Sequence, residues 1–499
     1  MWTKEALQVL IEEKLRGYRF ILVSNREPYL HRYESSQIEC IQPASGLAIA
    51  LEPMMRACGG VWIAHGSGDA DRAMVDTRNR VSVPPSEPRF TLRRVWLTEE
   101  QERLYYDGLA NQGLWPLCHT VFTRPAFNSE EWRAYREVNE IFARAVLEEA
   151  GDAPAFVFIQ DYHFALLSRL VKQKNPNLMV AQFWHIPWPN PEVFRAFPWK
   201  EELLDGMLGN DLLGFHLRFH CQNFLETVDS MLEAKVDRER FEITRRGKTT
   251  TVRPFPISID FEDQVAVARG PLMHQEMAQW LRELGLLDEY IGIGIDRIDY
   301  TKGICERLRA LDRLLDTCRG YRSRIVFVQV AVPSRTRIPQ YKRLAEDIRS
   351  LVDEINRKWS CGDWRPVILI ERHVSRVPLT ALYRLADFCV ISSLHDGMNV
   401  VAKEYVASRF DENGVLILSD FAGASRELTD AIVVNPFHEE ELSQAMLQAL
   451  EMPPHERARR MKKMRALVAE NNIYRWAGKL ISAVVNLEST PSAHADVAA

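Results

Sequence analysis

Short apolar runs alternate with helix-like patterns along almost the whole chain. This alternation predicts an α/β protein built on parallel sheets. In the first half, we expect strands at 20–24, 61–64, 156–160, 180–184 and 212–215. In the second half, we expect strands at 290–295, 325–330, 367–370, 388–391, 415–419 and 431–434. The segment 241–256 alternates around a glycine turn instead, and it predicts a hairpin that closes the first half.

The chain has 499 residues, which is too long for one compact core and predicts two or three domains. We predict two doubly wound domains, over residues 1–256 and 257–470. A helix over 471–487 is expected to pack back on the first domain, and 488–499 reads as a disordered tail. Residues 1–17 predict an amphipathic helix rather than a signal peptide.

The composition excludes several classes of protein. Hydrophobic residues make up 46% of the chain and charged residues 26%, as in soluble globular proteins. The net charge is −5 and basic residues are dispersed, which argues against a partner nucleic acid or an electrostatic membrane anchor. No apolar stretch is long enough to predict a transmembrane helix. The eight cysteines contain no Cys-x-x-Cys pair, so we predict reduced thiols and a cytoplasmic location.

Two facing doubly wound domains would place a ligand cleft at the carboxyl ends of their strands. After the run 388–391 comes a tight turn through Asp396 and Gly397, followed by a helix that carries Glu404. A helix N-terminus favours anions, so this segment predicts a pocket for a phosphate and a sugar. The alternative is an ordinary turn followed by a surface glutamate.

Polar residues also follow the expected strands of the first half. Arg26 follows the first expected strand, and a polar loop over 27–43 then leads to Gly46, where a backbone could approach a phosphate. Asp161 follows the third strand, and His185 follows the fourth in a loop stiffened by prolines. A capped turn and locally bonded side chains are the competing interpretation.

Two cations lie close together after the strand at 290–295. Arg297 and Lys302 flank a short turn at a helix start, which predicts a diphosphate clamp. Salt bridges from Arg297 to Asp296 or Asp299 are the alternative. Arg335 follows the next strand. Together with Arg26, these cations number four, which indicates more than one phosphorylated ligand.

Several familiar site patterns are missing from the sequence. It has no Walker Gly-x-x-x-x-Gly-Lys, no Gly-x-Gly-x-x-Gly and no Gly-x-Ser-x-Gly. His216 and His220 have the i, i+4 spacing of a zinc pair, but no third ligand is near them in the sequence. We therefore expect them to pack or hydrogen bond, and we assign no metal.

These motifs and their order resemble the trehalose-6-phosphate synthase family of retaining glycosyltransferases, over residues 19–487. The segments that carry the resemblance are Val-Ser-Asn-Arg, Leu-Trp-Pro, Gln-Asp-Tyr-His, His-Ile-Pro-Trp-Pro, Asp-Arg-Ile-Asp-Tyr-Thr-Lys-Gly and His-Asp-Gly-Met-Asn-Val-Val-Ala-Lys-Glu-Tyr. The resemblance implies a GT-B fold, in which two Rossmann-like domains face a central cleft. The first domain would lie on the acceptor side, and the second would hold a nucleotide-glucose, commonly UDP-glucose.

The resemblance also implies roles for individual residues. The implied catalytic residues are Asp161, His185, Arg297, Lys302 and Asp396. The implied donor-binding residues are Gly46, Arg297, Lys302, Gly397, Met398, Asn399, Val400 and Glu404, with Glu404 on the ribose. The implied acceptor-binding residues are Arg26, Tyr106, Trp115, Asp161 and Arg335, which indicates a phosphorylated acceptor such as glucose 6-phosphate.

The family mechanism needs no cofactor, because cations and helix N–H groups stabilise the departing diphosphate where other transferases use a metal. The implied partners are small-molecule substrates, with no nucleic acid and no membrane, and a homo-oligomer is possible.

Some positions depart from the family pattern. A Gly-Gly pair is replaced by Ser45-Gly46, the loop 27–43 is long, His395 replaces an arginine, and Val374 stands where relatives often carry an aromatic residue near the base. The start Arg26 to Tyr29 also resembles glucosylglycerol-phosphate synthases, which use ADP-glucose and glycerol 3-phosphate. That chemistry is the second hypothesis, and a catalytically silent sugar-phosphate sensor is the third.

Overall fold

The computed structural model describes residues 2–35, 37–42, 46–286 and 288–488. The chain divides into two compact units. The first unit comprises Trp2–Ile257 together with the chain from Ile473 onward, and the second unit comprises Ser258–Asn472.

A ten-stranded sheet forms the centre of the first unit. The strands of this unit are β1 Arg19–Arg26, β2 Leu30–Glu34, β3 Gln37–Ile41, β4 Val61–His65, β5 Arg80–Val83, β6 Phe90–Val95, β7 Ala155–Gln160, β8 Met179–Phe183, β9 Leu212–Phe215, β10 Lys235–Asp237, β11 Glu242–Arg245 and β12 Lys248–Pro254. The sheet order is β10-β11-β12-β9-β8-β7-β1-β4-β6-β5, while β2 and β3 form a separate antiparallel hairpin. Pairing is parallel from β12 to β6 and antiparallel at both edges.

Helices connect these strands. They are α1 Lys4–Lys14, α2 Gly46–Cys58, α3 Glu99–Glu102, α4 Trp115–His119, α5 Ser129–Ala150, α6 Leu167–Lys174, α7 Pro191–Phe194, α8 Lys200–Met207 and α9 Arg218–Met231. A π-helix, Arg103–Leu114, joins α3 to α4.

The second unit has a six-stranded sheet in which every strand pair is parallel. Its strands are β13 Tyr290–Arg297, β14 Ile325–Val332, β15 Val367–Ile370, β16 Phe388–Ile391, β17 Val415–Ser419 and β18 Ile432–Val434. Its helices are α10 Phe261–Ala268, α11 Met273–Leu284, α12 Ile304–Thr317, α13 Pro339–Trp359, α14 Arg376–Leu385, α15 Val400–Ser408, α16 Glu439–Glu451 and α17 Pro454–Glu470.

The last helix of the chain, α18 Ile473–Glu488, belongs to the first unit, where it packs on α1 and α2. Trp476 on α18 donates its indole N–H to the carbonyl oxygen of Phe255 at 3.1 Å. The segment predicted as a disordered tail lies outside the described residues beyond position 488.

Both sheets are wound in the same order. In the second unit the order β15-β14-β13-β16-β17-β18 is the 3-2-1-4-5-6 order of a Rossmann fold. The parallel strands β6-β4-β1-β7-β8-β9 of the first unit repeat it. The winding direction reverses between β13 and β16 in one sheet, and between β1 and β7 in the other. Ligands of such sheets bind at these switch points, beyond the carboxyl ends of the strands.

Burial explains why the apolar runs become central strands. All four residues of β16 are buried, as are all six of β7, because helices cover both faces of a parallel sheet. Helix α12 contributes Leu308, Leu311 and Leu315 to the core of the second unit. Each such side chain stabilises the fold by about 1.5–3 kcal/mol.

The predicted α/β class and parallel sheets are confirmed, and each predicted strand is present within a few residues of its expected bounds. Two expectations were wrong in detail. The segment 27–43 was expected to be a loop, yet it holds the hairpin of β2 and β3. The strand expected to end at residue 295 continues to Arg297, because β13 pairs with β14 as far as Val332.

All eight cysteines are free thiols. Within the described ranges, no helix is both long enough and apolar enough to cross a membrane.

Candidate active site

The β13/β16 switch point joins the two segments that the sequence singled out in the second unit. Lys302 ends a short 3₁₀ turn after β13, and Asp396 lies in the loop after β16. Their charged atoms, Nζ and Oδ2, are 2.5 Å apart, and both side chains are largely buried. Asn399 also donates to Asp396 Oδ2, at 3.1 Å. The topology therefore brings together a cation, a carboxylate and an amide at the position where a ligand is expected.

The loop after β16 leads directly into a helix N-terminus. Asn399 is the N-cap of α15, with a φ of 72° and a side chain that accepts from the backbone N–H of Ala402. Met398 and Gly397 precede it and are buried, and Val400 is the first residue of the helix. Such an end concentrates backbone N–H groups and the positive pole of the helix dipole, so it suits a phosphate.

Two glycines let neighbouring backbone segments approach this loop closely. A Cβ on Gly423 would overlap the carbonyl oxygen of Gly397, and a Cβ on Gly303 would overlap that of Ser392. Gly303 also has a φ of 62°, which residues other than glycine rarely adopt. The backbone at Gly303 and at Gly423 therefore packs directly against the loop between β16 and α15.

Glu404 lies on α15, one turn beyond its first residue. Its Oε2 accepts a hydrogen bond from the Tyr383 hydroxyl at 3.0 Å. Burial raises the pKa of Glu404, while the hydrogen bond from Tyr383 and the charge of Arg376 act in the opposite direction. A carboxylate held in this way can accept hydrogen bonds from a pair of sugar hydroxyls.

Arg297 and Arg335 lie at the same edge of the sheet, where the strands end: Arg297 is the last residue of β13, and Arg335 follows β14. Arg297 is half-buried, and its guanidinium donates to the hydroxyl of Ser334 at 3.4 Å. Arg335 is buried and forms an ion pair of 2.9 Å with Asp299.

The alternative interpretation of the clamp paired Arg297 with one of two nearby carboxylates. Asp296 pairs with Arg307 at 2.8 Å, and Asp299 pairs with Arg335. These two carboxylates thus have arginine partners of their own. Burial acts to raise the pKa of Asp299, but the charges of Arg335, Arg297 and Lys302 together lower it.

In the first unit, Arg26 ends β1 at the β1/β7 switch point. Its guanidinium donates to the hydroxyl of Tyr106 at 2.8 Å. The ring of Tyr106 stacks on His163, with ring centroids 5.6 Å apart and planes 12° apart. Tyr106 comes from the π-helix and His163 from the turn after β7, so three separate segments meet around Arg26.

Asp161 follows β7 directly and has a φ of 72°. Few residues other than glycine adopt such a φ, and strained positions of this kind cluster at functional sites. Its Oδ1 accepts from the backbone N–H of His185 at 3.1 Å. The structure therefore places the two residues predicted after β7 and β8 in direct contact.

The imidazole of His185 is held in one orientation. Its Nε2 lies 2.9 Å from Oε1 of Gln160, so Nε2 carries the proton and Nδ1 can accept. Burial lowers the pKa of His185 well below its usual range, and the nearby His216 and His163 act in the same direction. The neutral ring suits hydrogen bonding to a sugar hydroxyl better than proton transfer.

Trp115 and Gly46 complete the predicted residues of the first unit. Trp115 is buried at the start of α4, with its ring 5.9 Å from that of Tyr162, the neighbour of Asp161. Gly46 is the first residue of α2. The preceding residues 43–45, including Ser45, lie outside the described part of the chain.

His216 and His220 were expected to pack or hydrogen bond, and both rings pack on aromatic neighbours, that of His220 at 4.5 Å from the ring of Phe219. His216 is buried, its ring packs 4.9 Å from that of Phe183, and its Nδ1 accepts from the backbone N–H of Ile257. In the described residues, no group of three or more His, Cys, Asp or Glu side chains could hold a metal ion. The absence of a cofactor stays a prediction.

Sequence reasoning missed the buried charges behind both switch points. Arg307 supports the β13/β16 edge, and Arg94 pairs with Glu27 and Asp71 behind β1. Arg307 did leave a signal, since it falls on the apolar face of α12 between Ile304 and Leu308. Gln160, which orients His185, has no sequence signal beyond its place in the Gln-Asp-Tyr-His segment.

The comparison with known families decides the relationship. Residues 18–486 match the sequence profile of glycosyltransferase family 20. The chain belongs to glycosyltransferase family 20. The family resemblance inferred from the motifs is thereby confirmed.

Members of known function are similar over nearly the full length. The trehalose-6-phosphate synthase of Mycolicibacterium vanbaalenii is 37% identical over 485 residues, which cover 96% of this chain and 98% of that protein. The α,α-trehalose-phosphate synthase (UDP-forming) from Burkholderia xenovorans, solved in complex with glucose-6-phosphate, is 27% identical with a TM-score of 0.84. That match covers 93% of this chain and 99% of the other.

An E. coli structure bound with UDP-2-fluoro glucose is 30% identical to this chain, with a TM-score of 0.83. The match covers 94% of this chain and 99% of the E. coli chain. With the two Rossmann-like units described above, these similarities assign the family 20 chain to the GT-B fold.

Proposed function

We propose that this protein is a trehalose-6-phosphate synthase. It transfers glucose from UDP-glucose to glucose 6-phosphate with retention of configuration. The observation that carries the proposal is the meeting of Lys302, Asp396 and the N-terminus of α15 at the β13/β16 switch point. The full-length similarity to family 20 enzymes supports the choice of substrates.

The second unit would bind the donor. Arg297 and Lys302 would hold the diphosphate, because two cations beside a helix N-terminus offset its charge. Backbone groups of residues 397–400 would contact the phosphates and the glucose. Glu404 would accept from the ribose hydroxyls, and Asp396 from hydroxyls of the transferred glucose.

Residues of the first unit would bind the acceptor. Arg26 and Tyr106, joined by their 2.8 Å hydrogen bond, would contact the phosphate of glucose 6-phosphate. Trp115 would support this phosphate site, and Asp161 and His185 would contact the sugars. Arg335, which Asp299 already holds in an ion pair, stays a prediction as an acceptor contact. The approach of the Gly46 backbone to the donor also stays a prediction.

The chemical step follows from this assignment. The bond between glucose C1 and the β-phosphate oxygen breaks, and the acceptor hydroxyl oxygen bonds to C1 on the same face. The leaving phosphate oxygen takes the proton of that hydroxyl, so UDP departs without a protein base. Arg297, Lys302 and the helix N–H groups lower the barrier by stabilising the charge on that oxygen.

No step of this scheme uses a metal or another cofactor. A cytoplasmic location and self-association are further predictions, and the free cysteines are consistent with a reducing compartment.

The deciding experiment measures nucleotide release from UDP-, ADP- and GDP-glucose, each with glucose 6-phosphate or glycerol 3-phosphate. Release of UDP with glucose 6-phosphate, with trehalose 6-phosphate identified as product, would support the proposal. Release only with glycerol 3-phosphate would replace it by glucosylglycerol-phosphate synthesis. Silence with every pair, together with measurable binding of glucose 6-phosphate, would indicate a sugar-phosphate sensor.

A further inference from the structure

One guanidinium lies completely buried behind the donor-side residues. Arg307 sits on the first turn of α12, and none of its side chain is exposed to solvent. A buried charge is costly unless a partner neutralises it and hydrogen bonds satisfy its N–H groups. Arg307 therefore needs both a carboxylate partner and acceptors for its N–H groups.

Three side chains from different segments satisfy Arg307. Asp296 near the end of β13 accepts at 2.8 Å, and Gln329 on β14 accepts at 3.0 Å. The hydroxyl of Ser392, directly after β16, accepts from Nε at 3.0 Å. One planar group thus ties β13 and β14 to the residue that follows β16, on both sides of the switch point.

The space for this guanidinium depends on a glycine. Gly294 lies on β13, and a Cβ at this position would overlap Arg307 and the amide oxygen of Gln329. Because Gly294 has no side chain, the guanidinium of Arg307 has room to cross β13 at this position.

The contacts continue from Arg307 to the residues proposed to bind the diphosphate. The hydroxyl of Ser392 donates at 2.7 Å to the carbonyl oxygen of Gly303, the residue directly after Lys302. The backbone N–H of Leu394 donates to the carbonyl oxygen of Thr301, also at 2.7 Å. The turn that carries Lys302 and the loop that carries Asp396 are thus joined through the hydroxyl that Arg307 holds.

We propose that Arg307 is a positioning residue for the donor diphosphate: it fixes the turn of Arg297 and Lys302 relative to the loop of Asp396. The inference rests on the proposed function, because it needs a nucleotide-sugar at this switch point. Arg307 would act through these residues without touching the substrate.

A purely stabilising role is the competing explanation, and Arg409 provides a matched control. Arg409 is also buried in the second unit, and its NH1 donates to the carbonyl oxygens of Tyr383, Arg384 and Ala386. Arg307→Lys and Arg409→Lys make the same chemical change. Only the first disturbs the contacts with Asp296, Gln329 and Ser392.

The experiment compares both variants with the wild type below their melting temperatures. Calorimetric titration with UDP gives the dissociation constant, and initial rates give KM for each substrate and kcat. We expect Arg307→Lys to weaken UDP binding and raise the KM for UDP-glucose about tenfold or more, since hydrogen bonds to charged groups are lost. The KM for glucose 6-phosphate should not change, and Arg409→Lys should keep wild-type UDP affinity.

Wild-type UDP affinity and donor KM in Arg307→Lys would overturn the inference while leaving the proposed function intact. A wild-type protein that neither binds UDP nor transfers glucose would overturn both. Should Arg307→Lys not fold, Ser392→Ala decides, because it removes one small hydroxyl and keeps the ion pair with Asp296. A severalfold weaker UDP affinity in Ser392→Ala supports the inference, and an unchanged affinity overturns it.

Discussion

Lys302 and Asp396 form an ion pair of 2.5 Å across the point where the sheet of the second unit reverses its winding. The two residues are 94 positions apart in the chain. An ammonium group has three donors, so Lys302 can bond to Asp396 and to a phosphate oxygen together. The pair therefore couples the residue proposed for the diphosphate to the residue proposed for the glucose.

Replacing Asp396 by Asn separates these two roles. The change removes a negative charge beside Lys302 and keeps the size of the side chain, so UDP should bind more tightly. Turnover should fall about 10–1000-fold, because a charged acceptor of the glucose hydroxyls is lost. Calorimetry with UDP and initial rates measure the two effects.

Asp387→Asn is the control for this change. Asp387 precedes β16 at the opposite end of the strand and accepts from the backbone N–H of Ile291. It should leave UDP affinity and kcat as in the wild type. Weaker UDP binding in Asp396→Asn would contradict the arrangement proposed here.

Arg297→Ala should abolish turnover without unfolding the protein. One oriented donor that stabilises a developing oxyanion contributes about 100–1000-fold to kcat. Arg297→Lys should recover only part of the activity, since an ammonium cannot bind two oxygens in the bidentate manner of a guanidinium. Initial rates measure both, and circular dichroism checks the fold.

The surface residue Arg313, paired with Glu440, provides a comparison, and Arg313→Ala should behave as the wild type. Normal rates in Arg297→Ala would remove this residue from the clamp.

Tyr106→Phe tests the proposed acceptor site. The hydroxyl accepts from Arg26, and its removal should raise the KM for glucose 6-phosphate about three- to tenfold, as expected for one hydrogen bond. The KM for UDP-glucose should stay constant. Tyr33→Phe, on the exposed end of β2, is the matched change and should alter neither constant. If Tyr106→Phe changed only the KM for UDP-glucose, Tyr106 would belong to the donor site and not to the acceptor site.

Glu27 predicts a pH dependence of stability. Burial, followed by the hydrogen bond with Asp71, raises the pKa of Glu27 to about 8, against the charge of Arg94. The folded protein then holds a proton that the unfolded chain has released, between the ordinary pKa of about 4.3 and this raised value. The stabilisation is complete below that window and is lost as pH rises through it.

Other titrating groups add to the same curve, including His31, whose pKa burial lowers. The informative quantity is therefore the difference between Glu27→Gln and the wild type. The free energy of unfolding, measured in urea from pH 5 to 9, should fall less steeply in Glu27→Gln, by up to about 1.4 kcal/mol per pH unit. Glu148→Gln, which changes an exposed carboxylate, should preserve the wild-type slope. Equal slopes in all three proteins would show that Glu27 is ionised when folded.

The sequence predicted the central strands because parallel strands buried on both faces are continuous apolar runs, as in β7 and β16. Knowing where the strands end was enough to select Arg26, Asp161, Arg297 and Asp396. Their pairing across a switch point depends on strand order, which local patterns do not encode.

Other features had no local signal. The hairpin of β2 and β3 is exposed along much of its length, so its residues lack the apolar pattern of a buried strand. The π-helix that carries Tyr106 packs against α5, and no recognisable motif marks it in the sequence. Arg94 lies in β6 like any exposed polar residue, and only the fold shows that it is fully buried.

The glycines at 303 and 423 have a consequence for attempts to redesign this enzyme. Neither position has room for even a methyl group beside its neighbouring carbonyl oxygen. In a saturation mutagenesis library selected for new sugar donors, both positions should return glycine alone. Variation that alters donor choice has to come from the side chains of the loop that these glycines pack against, such as that of His395.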